Sequence, residues 1–412
     1  MWYTAYANQQ NTTRKGSCPM VSSIYESASI CKTLLKYNLC ENFTRTVMKH
    51  IFAVLISVFL YGYKGKTVQF AEVSPCHRTT VAHFLNKGKW DSAELERRLK
   101  KAVIQIIYAE AVRSGQPILC LVDDTVASKT KPLSQASHPI EDAYFHYSHL
   151  KRRKDYGHQA VGVMLSCNGI TLNYAMVLYD KTKSKIQIVR EIASELPHAP
   201  VLSYFLCDSW YACAKIATAF RDKGFHTIGA VKSNRLVTCE GCKLQIRQLA
   251  HSLHFAGLNA DLVTVGKRQF FVYSRKVRID GIGEAVILIC YARESFGEAS
   301  ALRAFLCTDI SLSSADILNR YAFRWKIEVF FRHAKQRLAF DKYQIRSSTG
   351  IQRFWLLMSL AHFICCMGSD TPLSFEDGYA FFQRTIRSER ITFIYQCGYA
   401  HISLDHVLSL VA

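Results

Sequence analysis

Residues 118–125 read ILCLVDDT, and this run decides the class of fold. Ile118 to Val122 is apolar without a break, and it stops at two carboxylates, Asp123 and Asp124. A strand that does not alternate is buried on both faces, as in the parallel sheet of an α/β protein. A second such run, Val201 to Cys207, stops in the same way at Asp208. Parallel strands bring their carboxyl ends to one edge of a sheet, and sites form at that edge. Alternation along a strand points only one of Asp123 and Asp124 into such a site.

The neighbouring segments fill in the core. After Asp124 comes a basic loop with Lys129, Lys131 and the stretch Lys151, Arg152, Arg153, Lys154. Ala160 to Ser166 and Thr171 to Leu178 read as a hairpin turning at Asn168 and Gly169. Residues 183–195 suit an amphipathic helix, Tyr211 to Lys223 a second helix, and His226 to Val231 a strand. The expected order is β-β-β-α-β-α-β. Residues 233–315 are rich in short strands such as Phe270 to Tyr273 and Ala285 to Tyr291, so they read as a β-rich insertion. Ile351 to Met367 reads as a closing helix.

Residues 1–105 read as helical. To residue 100 they carry 14 Lys+Arg against 6 Asp+Glu. Within them Thr67 to Trp90 has the pattern of a helix-turn-helix. A short helix runs through Phe70 and Val73, Ser74 and Pro75 turn, and a second helix holds Arg78 to Leu85. The apolar run Ile51 to Tyr63 falls short of the roughly 20 residues that span a bilayer, so it reads as a buried helix. The expected divisions are 1–105, 106–232, 233–315, 316–370 and a C-terminal segment, 371–412, with no assigned role.

A third acid lies in YAFRWKIEVFFRHAKQRL, residues 321–338. At about 100° per residue, one helix would bring Tyr321, Arg324, Glu328 and Lys335 within an arc of about 60°, with Arg332 beside them. Phe323, Ile327, Phe330, Ala334 and Leu338 form the opposing apolar stripe. By itself this is a charged surface helix with an Arg324–Glu328 pair. Beside Asp124 and Asp208 it becomes more. Three converging acids call for bound cations, and oxygen ligands suit Mg²⁺ or Mn²⁺. Two such ions support phosphodiester cleavage and strand transfer. Arg324, Lys335 and Tyr321 are then candidate phosphate contacts.

The chain of 412 residues has a formal net charge of +20, from 52 Lys+Arg against 32 Asp+Glu. That excess is spread along the chain and points to a polyanionic partner, with nucleic acid the leading class. Fifteen cysteines without regular spacing read as reduced thiols of a cytoplasmic protein. Cys239 and Cys242 lack a second pair and read as a turn. Trp210 and Trp325 lie near the acids and read as core residues in preference to base-stacking platforms.

The four-residue pattern Tyr-x₂-Arg-x₃-Glu-x₆-Lys, with the two upstream aspartates, resembles the DDE transposases of bacterial insertion sequences. Asp123-Asp124-Thr125 is similar to the first acidic motif, and CDSWY around Asp208 to the second. The resemblance runs from about residue 67 to 365. It implies a ribonuclease-H-like α/β core interrupted by a β-rich insertion, and the helical region before it, 1–105, reads from its charge and helix-turn-helix pattern as a DNA-binding domain. It implies Asp124, Asp208 and Glu328 as ligands of two Mg²⁺ or Mn²⁺ ions, with Asp124 favoured over Asp123 by the following Thr125. It implies Tyr321, Arg324 and Lys335 as contacts to the transposon end, with Arg332 nearby. The partners it implies are double-stranded DNA, as ends and target, and a second copy of the chain. The place is the nucleoid of a bacterial cytoplasm, with no membrane. A metal-dependent nuclease of the same fold, or an inert DNA-binding derivative, are the competing expectations.

Overall fold

The computed structural model describes residues 24–62, 68–74, 76–133, 139–148 and 153–411. Strand β1 (Leu119–Ser128) takes in most of the ILCLVDDT run and continues past its acids. It is followed by β2 (Tyr144–Ser148), β3 (Arg153–Cys167), β4 (Ile170–Tyr179), β5 (Ser203–Cys207) and β6 (Phe225–Val231). Side by side these run β4-β3-β1-β5-β6, and β1, β5 and β6 are parallel. β3 is antiparallel to both β1 and β4. The β3–β4 turn is the expected one: Asn168 (φ 43°) and Gly169 (φ 87°) both take the left-handed conformation of a two-residue hairpin. β2 is one strand more than the sequence pattern predicts. It forms within the basic loop by pairing with the Arg153–Gly157 end of β3. Pro75, Lys151 and Arg152 lie outside the described residues.

The strand-rich segment continues the same sheet. It supplies β7 (Leu236–Cys239), β8 (Cys242–Gln245), β9 (Asp261–Val265), β10 (Arg268–Ile279), β11 (Gly283–Ala292) and β12 (Arg303–Cys307). β12 lies antiparallel against β6, so the outer edge of the core strands is covered and the sheet reaches 12 strands. An exposed edge invites pairing with another chain, and this continuation removes it. Cys239 and Cys242 face each other across the Glu240-Gly241 turn as free thiols.

Before β1 the described residues form helices Ala28–Lys36, Arg45–Tyr61, Val68–Ala71, Arg78–Asn86 and Ser92–Ser114. The last of these runs past the expected boundary at residue 105. Its signals explain the length: Asp91 caps the start by accepting the Glu94 N–H at 2.9 Å. Gly115, at φ 65°, ends it, with no Gly or Pro between. The Arg45–Tyr61 helix is buried through Met48–Leu60 apart from Lys49. It is covered by the later helix Phe375–Tyr399, whose Tyr379 hydroxyl donates to the Val58 carbonyl at 2.8 Å. Ser348–Met367 is long and apolar enough to cross a bilayer, and it is packed inside the protein against β4.

Two apolar cores sandwich the sheet. Cys120 and Val122 of β1 join Ile188, Val189 and Ile192 of helix Lys185–Glu195 on one face. Leu119 and Leu121 join Ile317, Ile327, Phe330 and Phe331 on the other. The second face receives helices Ser314–Ala322 and Trp325–Gln336. Gly162 of β3 lets the latter settle: a Cβ there would stand 2.7 Å from the Phe331 ring. From the opposite side, His362 packs edge-on against Phe330 (4.9 Å between centroids) and stacks on Phe375 (5.3 Å).

Both contacts yield measurable consequences. Gly162→Val should lift the Trp325–Gln336 helix from the sheet and cost about 1–3 kcal/mol in urea unfolding, as overpacking does elsewhere. His362 is fully buried, and burial pushes its imidazole down to about 3 from 6.5. Below pH 6.5 the unfolded chain takes up a proton that the folded chain refuses, so stability falls as pH drops from 6.5 towards 3. His362→Phe should remove about 2 kcal/mol of that loss between pH 7 and 4.5, read as a shallower pH dependence of the unfolding midpoint.

Candidate active site

Strand alternation separates the two adjacent acids. Leu119 and Leu121 face the Trp325–Gln336 helix, so Asp123 and Thr125 face it too. Asp123 Oδ2 accepts from the Arg324 guanidinium at 2.7 Å, and Thr125 Oγ1 accepts from Lys335 Nζ at 2.8 Å. Asp124 turns to the other face. Its Oδ2 pairs with Lys185 Nζ at 2.9 Å and accepts from the Gln159 amide. The carboxylate brought to the Glu328 helix is therefore that of Asp123, although the motif favours Asp124. Lys185 and Gln159 carried no recognisable sequence signal. Lys185 opens the helix after β4, and only the tertiary fold carries it to β1.

The stretch from Tyr321 to Lys335 is two helices and not one. Ser314–Ala322 ends beside Tyr321, and Trp325–Gln336 begins after Arg324. Between them the N–H groups of Phe323, Arg324, Lys326 and Ile327 each reach back three residues, to Arg320, Tyr321, Phe323 and Arg324. This is tighter than an α-helical turn and resets the angle between the two segments. Phe323 is turned out and exposed at the joint, while Ile327, Phe330, Ala334 and Leu338 are buried as the apolar stripe requires. The Tyr321 ring packs on Phe305 of β12 (4.7 Å between centroids), and burial pushes its phenol up to about 12.

Arg324 is the centre of the arrangement. One arm of its guanidinium binds Asp123 and the other binds Glu328 on the next turn. Burial pushes the Asp123 carboxyl up to about 6; the nearby Arg324 charge opposes this, while Asp208 and Asp124 add to it. Burial also works against the charge on Arg324, and Tyr321, Asp123 and Glu328 outweigh it, so the guanidinium is held above its usual range.

Asp208 stands one residue beyond β5. Tyr204 and Leu206 of that strand lie on the Glu328 side, which carries Asp208 to the same side. Its Oδ1 accepts from the backbone N–H groups of Trp210 (2.9 Å) and Tyr211 (3.3 Å), which anchors the loop after β5. Trp210 and Trp325 are 57% and 58% exposed, so the expectation of core packing is overturned for both. Trp210 sits in the turn after β5 and Trp325 opens its helix, and both rings face solvent instead of either core. Arg332 is exposed on the outer side of its helix. Lys129 leaves the basic loop: it donates to the Asp341 and Tyr343 carbonyls at 2.9 and 2.7 Å, and burial lowers it to about 8.

The edge thus holds Asp123, Asp208 and Glu328 on one side of the sheet, all oxygen donors, with a cation among them. That donor set suits a hard divalent ion. Among the described residues no three such side chains close on one point, because Arg324 fills the space between Asp123 and Glu328.

Residues 38–184 match a family described as DDE superfamily endonuclease, and residues 114–364 match the Transposase DDE domain. No curated protein matches the chain. The second match covers more than half of the 412 residues and spans the ribonuclease-H-like α/β core from the end of the helix before β1 into the helix Ser348–Met367. The chain therefore belongs to the DDE transposase family, and both β1 and the helix Trp325–Gln336 fall within the matched residues.

Proposed function

We propose that this protein binds the inverted ends of its own insertion sequence, cleaves phosphodiester bonds there, and joins the freed 3′ ends to target DNA. Membership of the transposase family supports the activity, and the Tyr321, Arg324, Glu328, Lys335 spacing supports the subgroup. The observation that carries the reading is the presence of Asp123, Asp208 and Glu328 on one side of the sheet. Asp123 replaces Asp124 as the first acid, because Asp124 is engaged with Lys185 on the opposite face. Two Mg²⁺ or Mn²⁺ ions on these acids would activate the attacking oxygen and stabilise the leaving one.

The remaining roles belong to the chain's own side chains. Arg324 holds Asp123 and Glu328 in the DNA-free chain and exchanges them for a phosphate, its planar fork fitting either anion. Lys335, beside Thr125, binds a second phosphate of the transposon end. Tyr321 and the exposed Arg332 flank that path. The helix Arg78–Asn86 presents Arg78, Thr79, Thr80 and His83 to solvent and buries Val81, Phe84 and Leu85. It serves as the second helix of a DNA-reading pair within residues 1–105. The protein acts as a homodimer at the bacterial nucleoid, because two ends are joined in one event.

A cleavage assay on the DNA flanking the gene, with Mg²⁺, tests this. Wild type should cut at a discrete inverted repeat. Glu328→Gln and Asp123→Asn should each lose at least about a hundredfold in cleavage while still binding the end. Asp124→Asn should stay within about tenfold of wild type and show its effect in stability, through the lost Lys185 pair. Scattered degradation by wild type would point to a simple nuclease, and equal cleavage by Asp123→Asn would remove it from the site.

Arg324 supplies a separate test. Arg324→Met should bind Mn²⁺ more tightly than wild type without DNA, since the competing internal cation is gone, yet bind end DNA more weakly. Mn²⁺ titration by electron paramagnetic resonance reads the first effect. Unchanged Mn²⁺ affinity would mean that Arg324 does not compete for the carboxylates.

A further inference from the structure

Two open recesses, of about 770 and 710 Å³, lie side by side next to Asp208. They share Ser209, Lys232 and Asn234, so they form one continuous track, and Ser209 directly follows Asp208. Arg190, Lys215 and the exposed Trp210 line one half, and Arg247, Arg303 and Tyr321 the other. Among the described residues no acidic side chain lines either half. Some surface cations elsewhere are paired, as Arg97 is with Glu94, Lys100 with Glu195 and Arg113 with Glu110. Lys215 and Lys232 have no such partner among the described residues, and both are exposed. Exposed cations gathered without counter-charges raise the local potential and attract a polyanion.

A phosphodiester at Asp123, Asp208 and Glu328 has nucleotides on both sides. On one side lies Lys335, bonded to Thr125 of β1. The track begins on the other side, at Asp208. We propose that it carries the sugar–phosphate backbone on the far side of the scissile bond from the transposon end, as flanking DNA before cleavage and as target DNA during joining. Lys215, Lys232 and Arg247 neutralise successive phosphates, and the Trp210 ring offers a face for stacking. This assignment rests on the transposase reading above.

The test compares duplexes of the element's end carrying either no flank or about 10 bp of flank, with wild type and the triple variant Lys215→Ala, Lys232→Ala, Arg247→Ala. Wild type should bind the flanked duplex at least about tenfold more tightly, with a salt slope steeper by about 2 to 3. The triple variant should lose that gain and bind the unflanked duplex as wild type does. Charge-retaining replacements, Lys215→Arg, Lys232→Arg and Arg247→Lys, should restore it. Loss of cleavage on flanked substrate then assigns the track to the flank. Loss of joining by pre-cut ends to a plasmid assigns it to the target as well. A triple variant that gains from the flank as wild type does, or that loses unflanked binding to the same extent, would overturn the track. If wild type prefers neither duplex over random DNA, the transposase reading itself fails, and the track with it.

Discussion

One guanidinium ties the sheet to the helix that carries the third acid. Arg324 reaches Asp123 on β1 and Glu328 on its own helix. Arg324 and Asp123 are largely screened from water, and Glu328 is half-buried, so the attraction to Asp123 is stronger than for a surface pair. Without a cation there, the carboxylates at this edge would repel one another in a medium that screens poorly. The same arrangement sets the terms for function. In the proposed reaction a divalent cation on these acids would meet a site already occupied by one of the protein's own. The anion that would draw Arg324 away in that reaction is the phosphate of the substrate, so metal and DNA would act on one shared contact.

The second constraint is the two-residue period of a strand. β1 is clamped between two cores, and its odd and even residues have no freedom to exchange faces. Asp123 therefore shares a side with Glu328, and Asp124 shares one with the Lys185 helix. The adjacent acids are chemically equal and spatially opposite. Lys185 also lies 5.2 Å from the centre of the Trp210 ring, so the pair beneath Asp124 supports the loop that presents Asp208. In the proposed site Asp124 would therefore act from behind, through Lys185.

Much of this was legible in the residues. The runs before Asp123 and Asp208 announced two buried parallel strands, and Asn168-Gly169 announced a hairpin, because apolar continuity and left-handed turn residues are local signals. The spacing of Tyr321, Arg324, Glu328 and Lys335 found the right helix region. What it missed was the tightened joint at Phe323 and Arg324, since those residues have ordinary helical character and the break depends on packing against β12. Motif position favoured Asp124, and strand alternation alone could not say which face was which. That answer required knowing which hydrophobic residues of β1 meet Phe330 and Phe331. Lys185 and Gln159 were invisible for the same reason: their partners are 61 and 35 residues away.

The extended sheet explains why the charge lies where it does. Had the segment after β6 formed a detached lobe, its cations would have no defined relation to Asp208. Instead β12 pairs with β6 along the outer side of the core. That pairing sets Arg303 and Phe305 beside Tyr321, and the link from β6 to β7 sets Lys232 beside Ser209. Helix Ile246–Phe255 contributes Arg247 to the same wall, its backbone N–H bound to the Ser233 carbonyl at 2.8 Å. The acids and the cations beside them are thus fixed to one rigid sheet. A net charge of +20 by itself favours any polyanion at any angle. Fastening part of it to the edge that bears Asp208 gives that attraction a direction, along a path that ends at the acids.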